Sequence, residues 1–156
     1  MTERNKPDFE LEQYLPYQIH RLSNLIHQVS GLVTVRHLKA ARTLTNREYR
    51  VIFIIGSLGP HSPVQVARLS GIDNATVTRA VRSLRTRGLV TTRDNPEDRR
   101  AKDIVFTTAG RALWRKLFPI MHERGAALDE AFSERERKTF NKLLSKLNAR
   151  CEELIG

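Results

Sequence analysis

The chain has one cysteine, Cys151, among 156 residues, which excludes an internal disulfide and leaves no thiol cluster for zinc or redox cycling. A reducing cytoplasm is the expected setting. Long apolar runs are also missing. The longest, Val51-Ile52-Phe53-Ile54-Ile55, is far short of the roughly 20 residues of a membrane-spanning helix, and the polar start Met1-Thr2-Glu3-Arg4-Asn5-Lys6 carries no signal-peptide pattern. No membrane partner is expected. The loops Gly-x-x-x-x-Gly-Lys and Gly-x-Gly-x-x-Gly, the elbow Gly-x-Ser-x-Gly and any Cys-His constellation are absent, so neither a cofactor nor a catalytic residue is expected, and the chain is not read as an enzyme. Five histidines (His20, His27, His37, His61, His122) include no His-x-x-x-His pair, which argues against a metal site. Aromatics make up 6% of the chain, too few to suggest base stacking along single strands.

Acid is the other shortage. Seventeen Asp and Glu face 27 Lys and Arg, a net charge of +10, which points to a polyanionic partner. Residues 62–102 hold nine of the basic residues and four acids, so half of the surplus falls within this segment.

Leu11, Leu15, Ile19, Leu22, Ile26, Val29 and Val33 recur at steps of three and four, which predicts a long first helix ending near Arg42. Thr45-Asn46-Arg47-Glu48 has the form of a capping box that starts a second helix, apolar on nearly all faces and stopped by Gly59-Pro60. Two short helices follow, 63–70 and 74–87, separated by Gly71-Ile72-Asp73. Gly71 suits a left-handed helix end and Asp73 an N-cap, the signature of a helix-turn-helix. Two β-rich runs, 89–93 and 102–106, then flank the polar segment 94–100, which predicts a β-hairpin. Thr107 or Thr108 caps a fifth helix with Pro119 placed to bend it, and Ser133-Glu134-Arg135-Glu136 opens a sixth with Phe140, Leu143, Leu144, Leu147 and Leu154 at helical spacing.

On a helical wheel Val77, Val81 and Leu84 share the buried side of the fourth helix, and Arg79 points away, flanked by Ala75 and Arg82 with Thr76 and Thr78 on the shoulders. Asn74, Ala75, Thr76, Thr78, Arg79 and Arg82 therefore form an acid-free face of short and basic side chains, suited to a major groove, where Asn pairs with adenine and Arg with guanine. At the hairpin tip, Arg99 and Arg100 can enter a minor groove or neutralise phosphates. His20 or Arg21, on the first helix, is a candidate contact for an anionic small molecule.

The segments Gly71-Ile72-Asp73-Asn74-Ala75-Thr76-Val77-Thr78-Arg79, Leu84, Arg87-Gly88-Leu89-Val90, Asp98-Arg99-Arg100 and Phe106-Thr107-Thr108-Ala109-Gly110 resemble the MarR family of bacterial transcriptional regulators. Phe106 stands where the family more often has Leu. The resemblance implies a mainly α fold with a small β-hairpin wing, a winged helix-turn-helix at 45–107 between dimerisation helices at 1–44 and 108–156. It also implies that Asn74 to Arg82 read the major groove, Arg100 reaches the minor groove and Asp98 orients nearby arginines. The partners implied are a roughly palindromic double-stranded operator, a second copy of the chain, and a small, often aromatic acid, effector that releases a repressor from DNA. Thiol sensing of the kind some members perform through an N-terminal cysteine is not expected, since Cys151 lies near the other end. The alternative from charge alone is a non-specific architectural nucleic-acid-binding protein.

Overall fold

The computed structural model describes residues 10–37, 44–96, 98 and 100–156, and the side chains of residues 30–37 lie outside the description. A short 3-10 turn, Leu11–Gln13, precedes α1 (Leu15–His37), α2 (Asn46–Leu58), α3 (Pro63–Ser70), α4 (Asn74–Thr86), β1 (Val90–Asp94), β2 (Lys102–Phe106), α5 (Thr108–Asp129) and α6 (Glu134–Ile155). Leu11 thus stands outside the first helix, which begins at Leu15, and the expected end near Arg42 falls outside the described residues. Two compact units result, Met1–Trp114 and Arg115–Gly156, with α5 running from one into the other.

Local chemistry sets the element ends. The capping boxes at Thr45 and Ser133 both form, and a further one, Ser62 with Gln65, opens α3 behind Pro63. Each satisfies two backbone N–H groups that the first turn of a helix would otherwise leave unpaired. Gly71 ends α3 at φ 65° and ψ 21°, a left-handed conformation that any Cβ would strain.

The core of the first unit gathers Val51, Ile52, Ile54 and Ile55 of α2, Val66 of α3, Val77, Val81 and Leu84 of α4, and Val90 and Ile104 of the hairpin, all buried. Full burial of such side chains stabilises by about 1.5–3 kcal/mol each. Phe53 and Leu58 are exposed, so α2 is less central than its apolar sequence suggests: it packs against α3, α4 and β2, while Phe53 meets Trp114 edge-on at 6.4 Å. The hairpin is antiparallel, with Val90 opposite Phe106 and Asp94 opposite Lys102. A bridge between His61 and Ile104, in which the Ile104 N–H donates to the His61 carbonyl at 2.9 Å, pins β2 to the segment before α3.

The Thr-x-x-Gly at 107–110 closes the base of the hairpin. Thr107 caps α5, accepting from the Gly110 N–H at 3.1 Å, while its hydroxyl donates to the Gly88 carbonyl at 2.6 Å. A Cβ on Gly110 would lie 1.8 Å from the Leu89 carbonyl oxygen, so only glycine fits the approach of α5 to the chain entering β1.

In the second unit Leu117 and Met121 of α5 are buried, Phe132 stacks on Phe140 at 5.3 Å, and Arg137 pairs with Asp129 at 3.1 Å. None of the residues of α6 is buried, and Leu143 and Leu154 are 58% and 69% exposed.

Candidate nucleic-acid interface

Asp73 starts α4 by accepting from the Thr76 N–H at 2.8 Å. The helix then exposes Asn74, Ala75, Thr78, Arg79 and Arg82, with Arg85 further along and no acid among them. Thr76 departs from expectation, because its side chain is buried together with Val77, Ala80, Val81 and Leu84. Its hydroxyl instead receives the Arg79 Nη2 at 2.6 Å. Hydrogen bonds from the Thr76 hydroxyl and backbone N–H, with a smaller effect from the Arg79 charge, hold the Asp73 carboxyl below its usual range. Asp73, Thr76 and Arg79 therefore form a chain that aims one arginine of the exposed face. Guanidinium carries five donors, so this anchor leaves others to meet a base or a phosphate.

The C-terminal half of α4 is fastened from behind. Glu48 of α2, only 3% exposed, accepts from the Ser83 hydroxyl at 2.7 Å, from the Thr45 N–H at 2.7 Å and from Arg87 at 3.3 Å. Burial works to raise its pKa, and these hydrogen bonds together with the Arg87 charge outweigh it, so the carboxyl lies below its ordinary value. The capping role of Glu48 was legible in sequence. Its hold on residues 35 and 39 positions away was not.

Hydrogen bonds join the described residues of the hairpin tip. Asn95 N–H donates to the Ala101 carbonyl at 3.1 Å and its side-chain amide to Asp103 at 2.8 Å. Asp98 receives the Arg100 backbone N–H at 2.9 Å. Asp98 thus shapes the backbone that carries Arg100, which is exposed; Arg99 lies outside the described residues.

His20 and Arg21 are exposed on α1. Arg21 lines an open groove of about 690 Å³ with Glu12, Tyr17, Gln18, Leu22 and Leu25, and His20 does not. A second cleft, of about 490 Å³, lies between the end of α2, the hairpin and the start of α5. No helix among the described residues is long and apolar enough to cross a membrane, and no group of three His, Cys, Asp or Glu side chains there is placed to hold a metal ion.

A short helix pair with a capped, basic, acid-free second helix, followed by an antiparallel hairpin, defines a winged helix-turn-helix DNA-binding protein. Residues 44–102 match the MarR family model. The HTH-type transcriptional repressor YetL of Bacillus subtilis (strain 168) is 29% identical over 115 residues, covering 72% of this chain and 69% of that protein. A MarR/EmrR family transcriptional regulator from Acinetobacter sp. ADP1 superposes with a TM-score of 0.81 at 25% identity, covering 93% of this chain and 99% of that one. Bordetella bronchiseptica BpsR, whose DNA binding is regulated by 6-hydroxynicotinic acid, superposes with a TM-score of 0.73 at 22% identity, covering 90% and 96%. Over residues 44–102 the chain is similar to the MarR family, and its fold is that of winged helix-turn-helix transcriptional regulators.

Proposed function

We propose that the protein is a cytoplasmic repressor that binds a roughly palindromic duplex as a homodimer and leaves it when a small aromatic acid binds. The observation that carries the DNA reading is the exposed face of α4, where Asn74, Ala75, Thr78, Arg79 and Arg82 stand together without an acid. Arg79 and Asn74 read base edges, Thr78 and Ala75 allow close approach, Arg82 and Arg99 neutralise phosphates and Arg100 enters the minor groove. Thr76 positions Arg79.

The dimer reading rests on exposed apolar side chains. Leu15, Ile19, Leu22 and Val29 of α1 and Leu143 and Leu154 of α6 are all exposed in the single chain, and apolar surface on this scale calls for a partner. Residues 1–44 and 108–156 are therefore assigned to dimerisation around a DNA-binding domain at 45–107. Support for repression comes from YetL, and for an aromatic acid effector from BpsR.

Selection from a random duplex pool tests the whole reading. A twofold dimer should recover a sequence with half-sites about one helical turn apart, while sedimentation at micromolar concentration should report twice 17.9 kDa. Recovery of no preferred sequence would favour a non-specific architectural protein.

A further inference from the structure

Three polar or charged residues are buried among those described, Glu48, Thr76 and Asp103. The first two stand behind the reading helix: Glu48 fastens α4 and Thr76 holds Arg79. Asp103 takes no part in either. It lies in β2, opposite Arg93 in the register of the hairpin and 4% exposed, next to Ile104 of the core. Withdrawing a carboxylate from water is costly unless hydrogen bonds replace its hydration, and an apolar side chain would avoid that cost altogether. Stability of the hairpin therefore does not account for an acid at this position.

What Asp103 does is hold Asn95. The Asn95 Nδ2 donates to Asp103 Oδ1 at 2.8 Å, and the same amide's oxygen accepts from the Asp98 N–H at 3.0 Å. A carboxylate accepts and a backbone N–H donates, so the residue between them must offer a donor on one side and an acceptor on the other, as an amide does and a carboxylate does not. Asp98 passes the constraint on twice. Its carboxylate receives the Arg100 N–H at 2.9 Å and its carbonyl the Ala101 N–H at 2.9 Å. A run of hydrogen bonds thus leads from a buried carboxylate in β2 to the backbone of an exposed arginine at the tip.

We infer that Asn95 and Asp103 are positioning residues for DNA recognition, which fix the backbone from which Arg100 reaches the minor groove and thereby set the wing's share of the sequence preference. The inference rests on the reading above that Arg100 enters that groove. Minor-groove width varies with sequence, and a narrow groove attracts arginine most strongly. An arginine held at its backbone gives up less freedom on entering such a groove than one on a loose tip. Without the restraint, the same charge would meet phosphates on any sequence and contribute no preference.

The test uses the full chain, the duplex recovered by the selection described above and an unselected duplex of equal length, with circular dichroism to show each variant folded. Arg100→Ala should weaken binding to the selected duplex about fivefold. Asn95→Asp sets one carboxylate against another and should weaken the same duplex about threefold, while leaving the unselected duplex at parental affinity. Combining Asn95→Asp with Asp103→Asn exchanges donor and acceptor, keeps an acceptor for the Asp98 N–H and should restore parental binding. In the Arg100→Ala background Asn95→Asp should bring no further loss, since it acts through the missing arginine. Parental binding by Asn95→Asp alongside a loss in Arg100→Ala upholds the minor-groove reading and overturns the inference. Additive losses, equal losses on both duplexes, or an exchanged pair that fails to recover overturn it as well. A loss in Asn95→Asp that Arg100→Ala does not share, or no loss in either, defeats the minor-groove reading and the inference together.

Discussion

Helices α4 and α6 both carry apolar residues at helical spacing, yet α4 buries Thr76, Val77, Ala80, Val81 and Leu84 whereas α6 buries none of its residues. The difference separates two uses of amphipathicity. The apolar side of α4 is completed by α2, α3 and the strand that follows it, so its polar face is presented on a rigid support. On α6, Phe140, Leu144 and Leu147 are half-buried but Leu143 and Leu154 stay exposed among the described residues, which is why a second copy is proposed for that stripe. Periodicity announces a face to be covered; it does not say what covers it.

The largest effect should come from testing that contrast directly. Leu84→Ala empties a site with no solvent exposure and should cost about 2–5 kcal/mol in denaturant unfolding. Leu143→Ala with Leu154→Ala should instead leave the core of the winged unit unchanged and weaken self-association, read by sedimentation over a dilution series. If the α6 pair lowers stability as Leu84→Ala does and association is unaffected, the contrast between the helices is wrong.

Glu48 sharpens the account of how α4 is supported. Glu48→Ala removes the acceptor of the Ser83 hydroxyl and one partner of Arg87, and should cost about 1–3 kcal/mol. Because its folded pKa lies below the ordinary 4.5, its contribution is fully present above that value and is lost as pH falls through the lowered one. Acid titration of stability should therefore be shallower in Glu48→Gln than in the parent, and identical curves would remove Glu48 from the account.

On the exposed side of the same helix, Arg79→Ala should lose about 1–3 kcal/mol of binding and relax preference at one base. Thr76→Val keeps the shape but removes the hydroxyl that holds Arg79, and should lose less while relaxing the same base. A uniform loss on every sequence would make Arg79 a phosphate contact. The smallest effects belong to the wing, where Arg100→Ala should weaken binding more than Arg99→Ala, whose main effect should be a reduction of the salt slope by about 1. The reverse order, measured by isotherms across a salt series, would shift the wing contact to Arg99.

Features settled within one helical turn or one tight turn were legible in the chain before any fold was known. Thr45 with Glu48, Ser133 with Glu136, Asp73 with the Thr76 N–H and Gly71 in its left-handed turn each involve groups two to four residues apart or a single backbone position, so the residue types suffice. The acid-free face of α4 was legible in the same way, since a helix fixes which residues share a side. What needed tertiary structure were the meetings of distant segments. Thr76 looked like a shoulder residue on the wheel and is buried by its neighbours. Glu48 looked like a cap and also fastens α4. Gly110 and Gly56 are required by the Leu89 carbonyl and the Trp114 ring, and the cleft with Arg93 and Arg111 exists only because α2, the hairpin and α5 converge. Such contacts depend on how loops close and helices cross, and a one-dimensional pattern of polar and apolar residues carries no information about which distant groups will touch.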